Sequence, residues 1–125
     1  MTSIVLPIKP IFVDEILKGT KRYEYRKSIC KKAIDKIYIY ATSPIKKVVA
    51  EVKVSGTISD DKEEVWKVTE RYSGISKEFY DKYFKENKIA CAYSLGEVTV
   101  YPEPKELKEF GINFYPQSYV YVYVV

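Results

Sequence analysis

The sequence predicts an α+β fold: a small mixed or antiparallel β-barrel of about six strands, carrying three to four short helices. Three observations predict it. Strand-like alternation recurs in about six stretches, and one-sided apolar stripes of helical period recur in three or four others. The two kinds interleave irregularly, unlike the regular strand–helix alternation of a parallel α/β sheet. Finally, 125 residues of 46% hydrophobic composition suffice for one core, at which size a chain buries about two-thirds of the surface it exposes when unfolded. A single domain over residues 1–125 is expected.

Each element can be justified from its residues. Ser3 to Ile8 reads as a strand, and Pro7 marks either an edge position or a strand end. Pro10 suits the first turn of a helix with an Ile11, Phe12, Ile16 and Leu17 stripe, and Gly19 is its left-handed cap. The residues after Gly19 alternate like a half-buried strand. Residues 35–42 form a further strand, broken by Ser43-Pro44, and 47–58 return as a longer one with Val48, Ala50, Val52 and Val54 on one face. Asp60 is the expected N-cap of a second helix, with Glu63 completing a capping box and Val65, Val68, Thr69 and Tyr72 forming its buried stripe. Trp66 covers the edge of the core. Gly74 ends that helix and Ser76 caps another, whose Phe79/Tyr83 and Tyr80/Phe84 pairs have the i, i+4 spacing of packing. Residues 88–101 are again strand-like, with Pro102 and Pro104 marking the exit, and 105–116 read as a helical turn and loop. Residues 119–124 alternate strictly between Tyr and Val, as in a closing strand whose tyrosines either pack or offer a base-stacking platform.

Composition narrows the chemistry. There is no histidine, which removes the commonest general base and metal ligand, so any reaction runs on Lys, Glu, Asp, Tyr, Ser, Thr or Cys. Cys30 and Cys91 lack metal-site or redox spacing; Cys91 reads as buried, and Cys30 lies among basic residues that favour a thiolate. The net charge of +4 is compatible with a polyanionic partner. No apolar run reaches the ~20 residues of a membrane span, and the N-terminus lacks a signal-peptide pattern. A cytoplasmic location and no membrane partner are expected.

The densest packet of reactive groups is residues 19–27. On a strand there, Arg22, Glu24 and Arg26 share one face and Tyr23, Tyr25 and Lys27 the other, while Lys21 at the turn is free to swing beside Glu24. Two or three cations around one carboxylate suit an anionic or polar ligand. Lys9, at the N-terminus of the first helix, adds a further cation. The basic loop 27–32 borders the packet and offers to extend its rim.

Several short pieces, in order, carry a resemblance. They are Ser3-Ile4 onward to Ile8-Lys9-Pro10, Gly19-x-Lys21-x-x-Glu24-x-Arg26-Lys27, Tyr40-Ala41-Thr42-Ser43-Pro44, Ser73-Gly74-Ile75-Ser76 with Phe79 and Tyr83-Phe84, and Pro116-Gln117-Ser118. Together they resemble the ASCH domain family of the PUA-like superfamily. The resemblance implies a PUA-like mixed β-pseudo-barrel with a cleft roofed by the first helix, and a role in RNA processing, translation or transcription regulation. The implied ligand is RNA or a nucleotide or nucleoside, met by Lys9, Lys21, Arg26, Ser43, Gln117 and Ser118, with no cofactor and no metal, in a monomer or weak dimer. Arginine suits two-pronged contacts to phosphate or a base edge, and Gln and Ser supply neutral hydrogen bonds.

Two other classes of function stay open. One is a hydrolase of RNA or of a modified nucleoside, with Lys21 and Glu24 in catalytic roles. The amidohydrolase branch that deacetylates acetylcytidine resembles this chain at Lys21 but has Thr where Glu24 stands; its distant acid would be Glu64, Glu70 or Glu78. The other is an interaction or regulatory module whose edge strands pair with a second chain.

Overall fold

The computed structural model describes residues 2–123, and the sheet is best followed outward from its first strand, β1 (Ser3–Ile8). Every residue of β1 is buried. It lies between β3 (Lys36–Ala41), its parallel neighbour, and β6 (Val120–Val122), its antiparallel one. Because successive side chains point to opposite faces, Ile4, Leu6 and Ile8 join one core cluster and Val5 the other. Pro7 is therefore not on an edge strand. It sits near the strand end, beyond the Ser3–Val5 stretch that β6 covers, where no ladder needs its missing N–H.

Between β1 and β3 run α1 (Pro10–Lys18) and β2 (Tyr23–Arg26). Then β4 (Lys47–Asp61) and β5 (Ile89–Lys105) form a long antiparallel pair, joined at its far end by α2 (Lys62–Thr69), a 3₁₀ turn (Glu70–Tyr72) and α3 (Lys77–Tyr83). A second 3₁₀ turn, Leu107–Phe110, leads back to β6. The result is one six-stranded mixed sheet, ordered β2-β5-β4-β3-β1-β6. It is an α+β fold of the barrel-like kind expected. The register shifts repeatedly along β4 and β5, and such bulges bend and twist a strand. The bend brings β2, at one edge, within side-chain reach of β1 across three intervening strands: Arg26 donates to the Pro7 carbonyl at 2.6 Å.

One face of the sheet packs Ile37, Ile39, Ala50 and Val52 under Val13 and Ile16 of α1. The opposite face packs Tyr38, Tyr40 and Val48 under Leu107 and Ile112. A third cluster, Val65, Trp66, Tyr80 and Phe84 with Tyr25, seats α2 and α3 on the far end of the hairpin. Emptying the Trp66 site by Trp66→Ala should lower the free energy of unfolding by about 3–5 kcal/mol, the usual cost of deleting a large buried aromatic, as read by guanidinium denaturation.

Several boundaries move for physical reasons. The α1 stripe is Phe12, Val13 and Ile16, one position round from the expected one, and Ile11 is left 66% exposed. β4 continues three residues further, so the cap of α2 is Asp61, whose side chain accepts from the Glu63 N–H. Val68 faces solvent and Tyr72 lies in the 3₁₀ turn. β5 runs through Pro102 and Pro104 because β2 pairs only with residues 91–94, leaving that side of β5 without a ladder to break. Cys30 is packed in the core, its backbone N–H and Sγ both meeting the Tyr93 hydroxyl. Of the Tyr/Val alternation, only Val120–Val122 is strand; Tyr119 and Tyr121 pack on the first core cluster, Tyr123 is exposed, and Val124 lies outside the described residues. Among the described residues, no helix is long and apolar enough to cross a membrane.

The buried tyrosines set an alkaline limit. Burial raises the Tyr25 hydroxyl from 10.0 to about 12, and Tyr80, Tyr93 and Tyr101 shift the same way. Above pH 10 the folded chain then holds a proton that the unfolded chain has already lost. That contribution is complete below about pH 10 and disappears as pH climbs through about 12. Denaturant midpoints should fall from about pH 10 upward, with tyrosinate absorbance rising in step with loss of structure. A titration in which every tyrosine ionises near pH 10 while circular dichroism stays native contradicts this assignment.

Candidate functional site

The site starts where α1 ends. Gly19 takes φ 84°, and its N–H closes the last turn on the Glu15 and Ile16 carbonyls. The chain reverses there and drops Lys21 inward. Lys21 is only 2% exposed. Its Nζ donates to the Ser73 carbonyl at 2.8 Å, lies 3.7 Å from Glu24 Oε1, and sits over the rings of Phe12 and Tyr25 at 5.5 and 4.9 Å. Gly74 makes the space for it. With φ +68°, a Cβ at that position would fall 2.4 Å from Lys21 Cβ, well inside contact distance.

Glu24 is buried between two cations. One carboxylate oxygen faces Lys21, and the other accepts from Arg26 Nη2 at 2.9 Å. The same Arg26 nitrogen reaches the Pro7 carbonyl, so one side chain ties β2, the carboxylate and β1 together. Burial holds the Lys21 ammonium below its ordinary pKa, with the neighbouring Glu24 pulling the other way.

Around this floor opens a cleft of about 420 Å³. One wall comes from α1, α3 and the residue leading into α3's cap: Phe12, Phe79 and Tyr83, with Ile75. Phe79 meets Phe12 edge-on at 5.2 Å and stacks with Tyr83 at 6.4 Å. The rest of the lining comes from the end of β3 and the turn after it, Tyr40, Thr42, Ser43 and Lys46, with Tyr115, Pro116 and Gln117 from the loop before β6. Lys46 adopts φ 54°, a left-handed conformation uncommon outside glycine, and its Nζ lies over the Tyr115 ring at 5.4 Å. Four cations, Lys9, Lys21, Arg26 and Lys46, line the cleft against one carboxylate, Glu24. Its field favours anions.

The structure brings Lys9, Lys21, Glu24, Arg26, Ser43 and Gln117 to this one cleft. Ser118, next to Gln117, is exposed and does not line it. Arg22 leaves the packet, because it precedes β2 and its guanidinium lies 4.4 Å over Tyr72 instead. Of the basic loop, Lys32 turns away to donate to the Tyr123 hydroxyl at 2.8 Å, and Lys27 sits over Tyr83. None of Glu64, Glu70 and Glu78 lines the cleft; Glu64 pairs with Lys67 on an exposed helix face. Sequence reasoning passed over Lys46 and Tyr115 as site residues and read Phe79 and Tyr83 as packing alone. The i, i+4 spacing that makes two aromatics neighbours on a helix does not say that one pair, Tyr80/Phe84, faces the core and the other faces a cleft.

Removing one charge from the floor tests its arrangement. Glu24→Gln leaves two cations without their shared carboxylate and should lower stability by about 3 kcal/mol. Lys21→Met keeps the Glu24–Arg26 pair, takes one of two cations from Glu24 and orphans the Ser73 carbonyl, a smaller loss of about 1–2 kcal/mol. Guanidinium unfolding of the two variants should show that order; the reverse order would mean Lys21, not Glu24, organises the floor.

The relatives of this chain agree with that architecture. The ASCH domain model matches residues 6–112. The chain is 30% identical over 115 residues to the ASCH domain-containing ribonuclease of Zymomonas mobilis, covering 90% of this chain and 78% of that protein. The crystal structure of ASCH from Zymomonas mobilis superposes with a TM-score of 0.88 at 29% identity, covering 97% of this chain and 87% of that one. A further match is the ATP synthase subunit alpha of Ureaplasma parvum, 27% identical over 121 residues; it takes in 96% of this chain, which spans only 15% of that protein. By the extent of the domain match and the identity to the ribonuclease, this chain belongs to the ASCH domain family.

Proposed function

We propose that this chain binds single-stranded RNA, holding a nucleotide in the cleft. The observation that carries the reading is the cleft's own composition: four cations over a buried carboxylate, enclosed by aromatic walls. Lys9 and Lys46 supply point charges for phosphate oxygens, while Arg26 is held in orientation by Glu24 and Pro7. The rings of Phe79, Tyr83 and Tyr115 offer stacking faces to a base, and Gln117 and Ser43 offer neutral donors and acceptors to its edge. A volume of about 420 Å³ admits one unstacked nucleotide. The similarity to a protein named as a ribonuclease supports RNA as the ligand class.

A second reading, cleavage of the bound RNA, is favoured by the same relative. It has the 2′-hydroxyl oxygen attack the adjacent phosphorus, forming a 2′-O–P bond as the P–O5′ bond breaks. One group removes the 2′-hydroxyl proton and another protonates the departing oxygen. With no histidine in the chain, these roles fall to lysine, tyrosine or glutamate in the cleft. Lys21 and Glu24 hold the floor, and Lys46, at the exposed turn, neutralises charge on the phosphate.

Anisotropy titration of short labelled RNAs at several salt concentrations tests the binding reading. Saturable binding is expected, and Lys46→Ala should weaken it and flatten the log–log salt slope by about 0.7, the value for one phosphate contact on a single strand. Absence of saturation at moderate salt overturns the reading. Gel analysis of the same RNAs tests the second: cleavage should vanish in Lys46→Ala, whereas wild-type protein that binds RNA and leaves it intact removes catalysis and keeps binding.

A further inference from the structure

We infer that the ligand is an internal segment of single-stranded RNA at least three nucleotides long, its central nucleotide over the Glu24 floor and its neighbours stacked on Tyr83 and Tyr115. This rests on the RNA reading above and specifies its substrate. Tyr83 and Tyr115 both line the cleft, yet they come from separate segments, α3 and the loop before β6, and have different neighbours there. Tyr83 projects from α3 on the side of β2, near Arg26 and Glu24. Tyr115 lies on the side of the β3–β4 turn, near Tyr40 and Lys46. A cleft with room for one nucleotide and an aromatic ring on each flank is a track with positions on either side of its centre.

Each flanking ring also carries an exposed lysine. Lys27 Nζ lies 5.1 Å from the Tyr83 centroid and Lys46 Nζ 5.4 Å from that of Tyr115. An exposed cation–ring contact is weaker than base–aromatic stacking, so an arriving base displaces the lysine from the ring face. The freed ammonium then meets the phosphate attached to the same nucleotide. Ring and lysine thus form a unit for one nucleotide, present once on each flank. The core has no need of Tyr115, which is 65% exposed, with Phe114 beside it 54% exposed. Large apolar rings held at the mouth of a basic cleft are what a single strand stacks on.

The test uses oligouridylates of one to four nucleotides with 2′-fluoro sugars, which lack the hydroxyl that cleavage needs, titrated into the full chain by calorimetry. Affinity should rise about tenfold or more for each stacked neighbour, up to three nucleotides, and then level off. In trimers carrying 2-aminopurine at the first or third position, binding should quench fluorescence at both. Tyr115→Ala, at an exposed position, should relieve quenching at one end only, and Tyr83→Leu at the other only. A mononucleotide that binds as tightly as the trimer, or substitutions that leave both ends quenched, overturns the three-nucleotide track while the RNA reading stands. No binding at any length overturns both.

Discussion

Glu24 accepts from Arg26 with one carboxylate oxygen and faces Lys21 with the other, and through those partners it reaches the Pro7 carbonyl on β1 and the Ser73 carbonyl before α3. The sheet supplies no backbone ladder between β2 and β1, which have three strands between them in the order of pairing. A chain of charged hydrogen bonds spans the gap instead. Taken out of water, such groups repay their desolvation only when their geometry is complete, and losing one member leaves the others uncompensated. The seam is therefore held by the same groups that give the cleft its charge, so stability and the field of the cleft are two aspects of one arrangement.

That arrangement has room because of how the surrounding backbone is built. Gly74 is glycine for two independent reasons, a positive φ and the Lys21 stem pressed against its Cα. Lys46 has no such excuse. It is a lysine in the left-handed region, and its neighbours, the turn of residues 42–45 and the loop at 115–117, aim it across the mouth of the cleft. A residue held in a sparsely populated conformation at a concave charged surface is a familiar mark of function. The aromatic pair Phe79/Tyr83 shows the same economy, since one helix turn stacks one pair into the core and presents the other to the cleft.

Much of this was legible beforehand. Period-two alternation located β1, β3, β4 and β5, Pro10 and Gly19 bracketed α1, and Ser76 capped α3, because each of those signals acts locally. The spacing Lys21-x-x-Glu24-x-Arg26 also put Arg26 on the face of Glu24 and Lys21 within its reach, while leaving open whether the carboxylate is paired, as it is, to both. The hidden features were non-local. The rotation of the α1 stripe is set by where the sheet lies, not by the helix. Arg22 looked like a third member of the packet, and only the arrival of Tyr72 from elsewhere in the chain draws it off. Lys46 and Tyr115 are ordinary loop residues in sequence and become a pair when segments from either side of β4 and β5 meet.

The order in which the cleft's walls occur along the chain has a consequence during synthesis. Its floor and the α1 side come from residues 7–26, the side at the β3–β4 turn from 40–46, the α3 side from 75–83, and the last part from 115–117. A ribosome releases these in sequence, so the residues of the cationic floor emerge long before the loop at 115–117 that lines the cleft with them. During that interval the lysines and arginine lie beside ribosomal RNA, a polyanion of the class that the proposed function has them bind.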